Sequence, residues 1–231
     1  MDRKAFYDEI DVTSVADEDM RRLKIMLSLV RNLGVRKFLD IGCMPAMTAY
    51  FAKNLGCRAD GINISEKVVK SYGGSEIDLV CADAETTPLK GGYDLIICGE
   101  LIEHLQDPDT FIVKLRSSLR DGGYLLLTIP NLASLFNRIS LLFGWQPRGM
   151  NPSRKMMFNP FTFSDYNWGH ISMFTGYAMK KFLSANGFKI VAVKGTYGGH
   201  TGERGLKGLL RALMSAKASF SEQLVFLAKK E

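Results

Sequence analysis

Histidine is the residue type in this sequence whose chemistry is easiest to assign, because a neutral imidazole near pH 7 can accept a proton from a reacting group. The chain has three histidines. His170 follows a long aromatic segment, His104 follows a predicted strand, and His200 lies in a glycine-rich stretch, where it is a weaker candidate. We therefore predict His170 and His104 as catalytic residues. A second role stays open for His104, which could instead hold the strand–helix junction through a bond to a backbone carbonyl.

Polar residues follow each of four predicted strands, an arrangement that suits a ligand site. Asp40 and Gly42 follow the first strand, Asn63 the second, Asp83 the third and Glu100 the fourth. In a parallel α/β sheet, ligands bind beyond the carboxyl ends of the strands, where the strand order reverses. Four strand ends that meet at one crevice support a binding site more strongly than any single motif does.

The stretch 37–65 has the layout of a βαβ unit that holds a nucleoside. An apolar run reaches Gly42, a helical pattern follows as far as Gly56, and a second extended run ends at Asn63, about 21 positions after Gly42. Reversal of the chain at Gly42 predicts that backbone N–H groups face a ligand. The tip of the second strand then lies where ribose hydroxyls would bind.

This stretch resembles the class I S-adenosylmethionine (SAM)-dependent methyltransferases, whose pattern is roughly hLDhGCGxGxxxxxhAxxGxxhxGhDhS, with h apolar. The residues that fit the pattern are Leu39, Asp40, Gly42, Cys43, Ala52, Gly56, Gly61 and Ser65. The chain departs from it at Met44 and Ala46, which replace glycines, and at Asn63, which replaces the acid that binds the ribose diol. A side chain at position 44 crowds the approach of the backbone to the ligand. An amide at position 63 can still bond to a hydroxyl, but it adds no charge to that bond.

A longer resemblance to the same family covers residues 93–108, which fit the pattern Y/F-D-h-h-h-x-x-E-x-h-E-H-h-x-D-P. Residues 170–175 resemble the HhxxFT element that precedes the last large helix in many small-molecule methyltransferases. The resemblance implies that Asp83 binds the adenine amino group, although a loop-capping role for this residue stays open. The cofactor-binding residues that it implies are Asp40, Gly42, Cys43, Met44, Ala46, Asn63, Ile64, Asp83, Ala84, Gly99 and Glu100.

Strands that alternate with helices predict an α/β fold. We expect a Rossmann-like, seven-stranded, mostly parallel sheet with helices on both faces and an antiparallel last strand. The predicted parts are an N-terminal helical segment (1–36), a SAM-binding core (37–130), a lid or substrate-recognition insertion (131–175) and the C-terminal part of the core (176–231). That last part carries a basic amphipathic insertion (198–219).

Hydrophobic periodicity predicts a helix over 20–33 that packs on the sheet and an amphipathic helix over 132–144. Residues 145–168 are rich in aromatic and basic side chains. The segment is long for an ordinary loop, and its aromatic content argues against disorder, so we interpret it as a lid. Residues 206–219 form a basic amphipathic stretch that either rests on an anionic membrane or packs on its own domain.

Composition excludes several classes of protein. No uncharged apolar run reaches the ~18 residues of a membrane span, and the charged start lacks the apolar core of a signal peptide, so we expect a cytoplasmic protein. The four cysteines form no CxxC pair, which predicts small buried apolar residues and no metal site. Residues 1–120 carry 16 basic and 19 acidic side chains, whereas residues 121–231 carry 14 and 5. The second half therefore suits an anionic partner.

Three functions remain open from the sequence. The first is a SAM-dependent methyltransferase that acts, at oxygen, on a small-molecule or lipid-linked acceptor, and peripheral membrane contact stays open for it. The aromatic and basic lid suggests an anionic or amphipathic acceptor. The second is a catalytically impaired methyltransferase-like protein that binds a nucleoside. The third is a nucleic-acid methyltransferase, which we do not expect because no Asn/Asp-Pro-Pro-aromatic motif follows the fourth strand.

Overall fold

The computed structural model describes residues 17–74, 76–150, 153, 169–196 and 217–231. Most of the predicted lid, most of the basic amphipathic insertion and His200 lie outside the described residues. Within the described part of the chain, no helix is long and apolar enough to cross a bilayer.

Helices and strands alternate along the chain as predicted. The helices are α1 (Asp17–Val30), α2 (Pro45–Leu55), α3 (Glu66–Ser71), α4 (Pro108–Ser118), α5 (Leu135–Leu142) and α6 (Gly176–Ala185), with 3₁₀ turns at Ile102–His104 and Ala218–Phe220. The strands are β1 (Lys37–Ile41), β2 (Arg58–Asn63), β3 (Ile77–Cys81), β4 (Tyr93–Gly99), β5 (Leu119–Pro130), β6 (Phe188–Thr196) and β7 (Gln223–Lys230).

The strands form one sheet in the order β3-β2-β1-β4-β5-β7-β6. Neighbours from β3 to β5 pair in parallel, whereas β7 pairs antiparallel with both β5 and β6. The predicted fold class is therefore confirmed, including the antiparallel last strand. Strand order reverses between β1 and β4, so the carboxyl ends of these two strands flank the crevice in which ligands of such sheets bind.

Apolar layers cover both faces of the sheet. Successive strand residues point to opposite faces, so Phe38 joins the layer under α1 and α2 while Leu39 joins the layer under α4 and α6. Leu23, Met26 and Val30 of α1 are buried in the first layer. The prediction that the first helix packs on the sheet is confirmed, with the helix ending at Val30.

The cysteines only partly match their prediction. Cys43 and Cys98 are buried, Cys57 is half-buried and Cys81 is exposed. The prediction is wrong for Cys81 because β3 is an edge strand of the sheet, and such a strand buries less of its surface than a central one.

Candidate active site

The glycine turn after β1 needs glycine at one position. Gly42 has a φ of +74°, in the left-handed region, and an added Cβ would lie 3.3 Å from Leu101 side-chain carbons. The N–H groups of Gly42 and Cys43 both donate to the Ile62 carbonyl, at 2.9 and 3.0 Å. The adjacent strand β2 therefore binds both of these N–H groups, and a cofactor contact of Gly42, of Cys43 or of another N–H of the turn stays a prediction.

Met44 fits the same turn without backbone strain. Its φ of −95° and ψ of 111° are extended values that any residue adopts. Its half-buried side chain packs against the apolar layer under α1 and α2. Ala46 lies exposed in the first turn of α2. Replacement of a glycine by Met44 thus leaves the conformation of the turn accessible, and a role for Met44 and Ala46 beside the cofactor stays a prediction.

Asn63 connects the tip of β2 to the glycine turn. Its Nδ2 donates to the Cys43 carbonyl at 2.7 Å, and its Oδ1 accepts from the Ser65 N–H at 2.7 Å. A side-chain amide has two N–H hydrogens and two oxygen lone pairs, so one of each can still bind a hydroxyl. A carboxylate oxygen at this position would face the Cys43 carbonyl, and both of these atoms are acceptors. An amide donates to that carbonyl instead, which explains why an amide suits this chain.

Asp83 caps its own loop at the end of β3. Its Oδ1 accepts from the Glu85 N–H at 2.8 Å, which is the loop-capping contact considered from the sequence. Lys114 of α4 holds the same loop, with its Nζ donating to the carbonyls of Glu85 at 2.9 Å and Thr87 at 3.1 Å, and to that of Ala84. Adenine binding by Asp83 and Ala84 stays a prediction, as does a cofactor contact of Ile64.

Glu100 directly follows Gly99 at the end of β4 in an unusual conformation. Among the described residues it is the one non-glycine residue with positive φ, at 48°. Such a conformation costs on the order of 1–3 kcal/mol and is concentrated at functional sites. The Glu100 N–H donates to the Thr128 carbonyl at 3.1 Å, and Oε1 lies 3.7 Å from Nη1 of Arg22.

The crevice holds several buried carboxyl groups. Asp40 accepts a hydrogen bond from Thr48 Oγ1 at 2.5 Å; burial raises its pKa to about 7, against the opposing effects of Thr48 and the Arg22 charge. Glu103 is 1% exposed. Burial and the charge of Glu100 raise the pKa of Glu103 well above its ordinary value, and Arg22 opposes them. Both carboxyl groups therefore hold their protons more tightly than exposed acids do, and a positively charged ligand beside them would favour their ionised forms.

The two predicted catalytic histidines lie together. Their ring centroids are 4.8 Å apart, with His104 Nδ1 3.3 Å from the Gly169 carbonyl and His170 Nδ1 3.0 Å from the Gly149 carbonyl. A carbonyl only accepts, so in the neutral rings Nδ1 carries the hydrogen and Nε2 is the acceptor atom. Burial lowers the pKa of His170, although the Gly149 contact opposes it, so His170 is neutral near pH 7. The backbone-carbonyl contact considered for His104 is present.

Sequence reasoning missed two residues of this site, Arg22 and Glu103. Arg22 lies on α1, nearly 80 positions before Glu100 in the chain, and only helix packing brings the two together. Glu103 lies inside the 93–108 pattern beside His104. An acid directly after apolar Leu101 and Ile102, next to a histidine, was a signal that could have marked Glu103.

A family model described as a methyltransferase domain matches residues 16–193, more than half of the chain. The ubiquinone biosynthesis O-methyltransferase of Parvibaculum lavamentivorans is 29% identical over 140 residues, which cover 55% of this chain and 55% of that protein. The chain spans about half the length of the curated relatives it matches.

Solved structures share the fold at low identity. The N-methyltransferase NodS of Bradyrhizobium japonicum, crystallised with S-adenosyl-L-homocysteine (SAH), has a TM-score of 0.61 and 16% identity, covering 99% of this chain and 95% of its own. The [4+2]-cyclase SpnF has a TM-score of 0.61 and 16% identity, covering 96% of this chain and 84% of its own. One fold thus carries more than one reaction. The match of the methyltransferase-domain model, together with the seven-stranded sheet, shows that this chain belongs to the class I SAM-dependent methyltransferases.

Proposed function

We propose that this protein transfers the methyl group of SAM to a hydroxyl of a small-molecule or lipid-linked acceptor. The observation that carries the proposal is the His104–His170 pair beside an acidic crevice at the ends of β1 and β4. Oxygen as the acceptor atom is supported by the relatives, which are named as O-methyltransferases. The proposal places the protein in the cytoplasm.

The charged and hydrogen-bonding side chains of the crevice fit SAM. SAM supplies a methyl group that its sulfonium centre already activates, and it carries a positively charged amino group. Half-buried Glu100 offers negative charge to those cationic centres. Asp40, with a pKa of about 7, ionises more readily when a cation lies beside it. Asn63 retains an N–H and a lone pair for a ribose hydroxyl. The side chains that hold SAM in this proposal are those of Asp40, Asn63, Asp83 and Glu100.

The chain's own contribution to the reaction is alignment and removal of a proton. Holding the acceptor oxygen in line with the methyl group and excluding water can lower the barrier by ~7–11 kcal/mol. The neutral ring of His170 has Nε2 as its acceptor atom, because Nδ1 is engaged by the Gly149 carbonyl, and the ring lies beside His104. In its simplest form, the proposal has this atom accept the proton of the acceptor hydroxyl.

Glu100→Gln tests the cofactor half of the proposal. We expect calorimetry to show that the native chain binds both SAM and SAH, and that Glu100→Gln weakens binding by about 10- to 100-fold, because a charge-assisted hydrogen bond is lost. Asp121→Asn is the matched control, since its carboxylate is fully exposed at the start of β5. If the native chain binds neither compound, it is an impaired relative and the proposal fails.

Exposed apolar side chains at the end of α5 support peripheral membrane contact. On α5 the buried residues are the polar Asn137 and Ser140, whereas Leu142 and Phe143 are 81% and 62% exposed. The chain then reaches Gly149, whose carbonyl contacts His170. This reverses the expected burial of an amphipathic helix and leaves apolar side chains exposed at its C-terminal end. In this proposal these side chains rest on an anionic membrane and give access to a lipid-linked acceptor.

Vesicle sedimentation tests the membrane contact. The double variant Leu142→Ser/Phe143→Ser is expected to bind phosphatidylglycerol vesicles about tenfold more weakly than the native chain, because two apolar side chains no longer enter the bilayer interface. Val113→Ser, which removes an exposed apolar side chain on α4, is expected to bind like the native chain. Equal binding of the double variant and Val113→Ser to anionic vesicles contradicts the membrane contact. So does a native chain that binds neither phosphatidylglycerol nor phosphatidylcholine vesicles.

A further inference from the structure

Glu103 is an anomaly in the acidic crevice. Its side chain is 1% exposed, and neither carboxylate oxygen has a hydrogen-bond partner among the described residues. A buried carboxylate without partners is costly to a folded protein, and buried polar groups are almost always satisfied. The backbone around it is well bonded, since its carbonyl accepts from the N–H groups of Ile171 and Ser172 at 2.8 and 3.0 Å. The nearest recorded polar contact of the carboxylate is with His104, whose Nε2 lies 3.9 Å from Oε1, beyond hydrogen-bond length.

The atoms around Glu103 are those of a cation site. One ligand atom each from Glu103, His104 and His170 lie within 4.8 Å of one another. Each imidazole has its Nδ1 at a backbone carbonyl, which is how proteins orient histidines that ligate a metal through Nε2. Glu100 adds negative charge next to this group, and Arg22 is the opposing charge that acts on Glu103.

We propose that Glu103, His104 and His170 together bind one divalent transition-metal cation that holds the acceptor oxygen for methyl transfer. This inference rests on the proposed function and refines the role of the two histidines, which act as ligands instead of as bases. One carboxylate with two imidazoles suits Mn²⁺, Co²⁺ or Zn²⁺ better than a cation that requires only oxygen ligands. Metal–ligand bonds of about 2.0–2.2 Å place ligand atoms about 3.0–3.6 Å apart, so the three atoms, which lie within 4.8 Å of one another, must approach by up to about 2 Å when the cation binds.

The cation gives the acceptor hydroxyl a lower pKa, as bound metal ions do for water. In the balanced step, the acceptor O–H bond breaks and its proton passes to solvent water. The oxygen then forms a bond to the methyl carbon while the carbon–sulfur bond of the sulfonium breaks, with its electron pair remaining on sulfur. No oxidant or reductant is needed, and the imidazoles stay unprotonated throughout.

The test is calorimetric titration of MnCl₂ into the full chain after EDTA treatment and desalting. We expect one Mn²⁺ per chain, with affinity at least about tenfold weaker in Glu103→Gln and in His170→Gln, because each removes a ligand of the three. Asp121→Asn removes a fully exposed carboxylate and is expected to bind like the native chain. Mn²⁺ is also expected to raise the melting temperature of the native chain and of Asp121→Asn, but not that of the other two variants.

Absence of Mn²⁺ binding to the native chain, or equal binding by all four proteins, overturns the inference. If Glu103→Gln does not fold, His170→Gln decides the outcome, because His170 is only half-buried. SAH binding is measured on the same samples to separate the two proposals. A chain that binds SAH but not Mn²⁺ keeps the proposed function and loses the cation; one that binds Mn²⁺ but not SAH keeps the cation site and loses the methyltransferase activity.

Discussion

Substitution His170→Ala is expected to lower the turnover number by about 10²–10⁴-fold while the dissociation constant for SAH changes by less than about threefold. The side chain lies against His104 with its Nδ1 engaged by the Gly149 carbonyl, so Nε2 is its acceptor atom, which the proposal assigns to the methyl acceptor and not to the cofactor. Loss of that atom removes a group that acts on the acceptor hydroxyl, whether directly or through a bound cation. The measurement is transfer of a radiolabelled methyl group from SAM to a panel of phenols, catechols and lipid-linked hydroxyl compounds, with SAH affinity determined in parallel.

Ile171→Ala is the control for this experiment. The neighbouring side chain is 47% exposed and has no atom that can accept a proton, so turnover is expected to stay near the native value. Comparable losses of turnover and of SAH affinity in His170→Ala would show that His170 holds the structure together and has no role in the reaction. Treatment of the native chain with EDTA separates the two roles, because a direct base keeps its activity in the chelator and a metal ligand loses it.

The second large effect is expected on stability. Asp40 has a pKa of about 7 in the folded protein, against an ordinary value of 3.8. Below pH 3.8 the carboxyl is protonated in both states, and between these values the unfolded chain ionises while the folded chain keeps its proton. The contribution of Asp40 to the free energy of unfolding is therefore lost as pH rises, by roughly 4 kcal/mol between about pH 4 and pH 8 at about 1.4 kcal/mol per pKa unit.

Asp40→Asn isolates this contribution from all others. An amide oxygen can still accept from Thr48, so packing is preserved, but the group no longer titrates. Urea unfolding at several pH values is expected to show near-equal stability of variant and native chain at pH 4 and a growing advantage of the variant towards pH 8. Groups that titrate in the same way in both proteins cancel in this difference. Asp94 is one of them: burial raises its pKa, but the hydrogen bonds from Arg120 and from the backbone outweigh burial, so its pKa is lowered. A difference that does not change with pH would contradict the raised pKa.

Local patterns were sufficient for the scaffold and for part of the site. Alternation of apolar runs with helical periodicity predicts the sheet, and Gly42 was recognisable because its left-handed conformation requires a residue without Cβ. Crowding of the ligand by the Met44 side chain stays a prediction, and its extended backbone shows only that the residue fits the turn without strain. Asn63 could be named as a hydroxyl-binding residue, but its contact with Cys43, which favours an amide over an acid, depends on the approach of two strand ends.

The sequence by itself determined which strands form, which residues end them and which family pattern they carry, because these properties depend on neighbours a few positions away along the chain. Only the tertiary structure brought Arg22 to Glu100, set the rings of His104 and His170 side by side and left the carboxylate of Glu103 buried without a hydrogen-bond partner among the described residues. Burial and charge pairing decide those properties. Both depend on which distant segments of the chain pack together, and the spacing of residues within a short stretch of sequence does not indicate this.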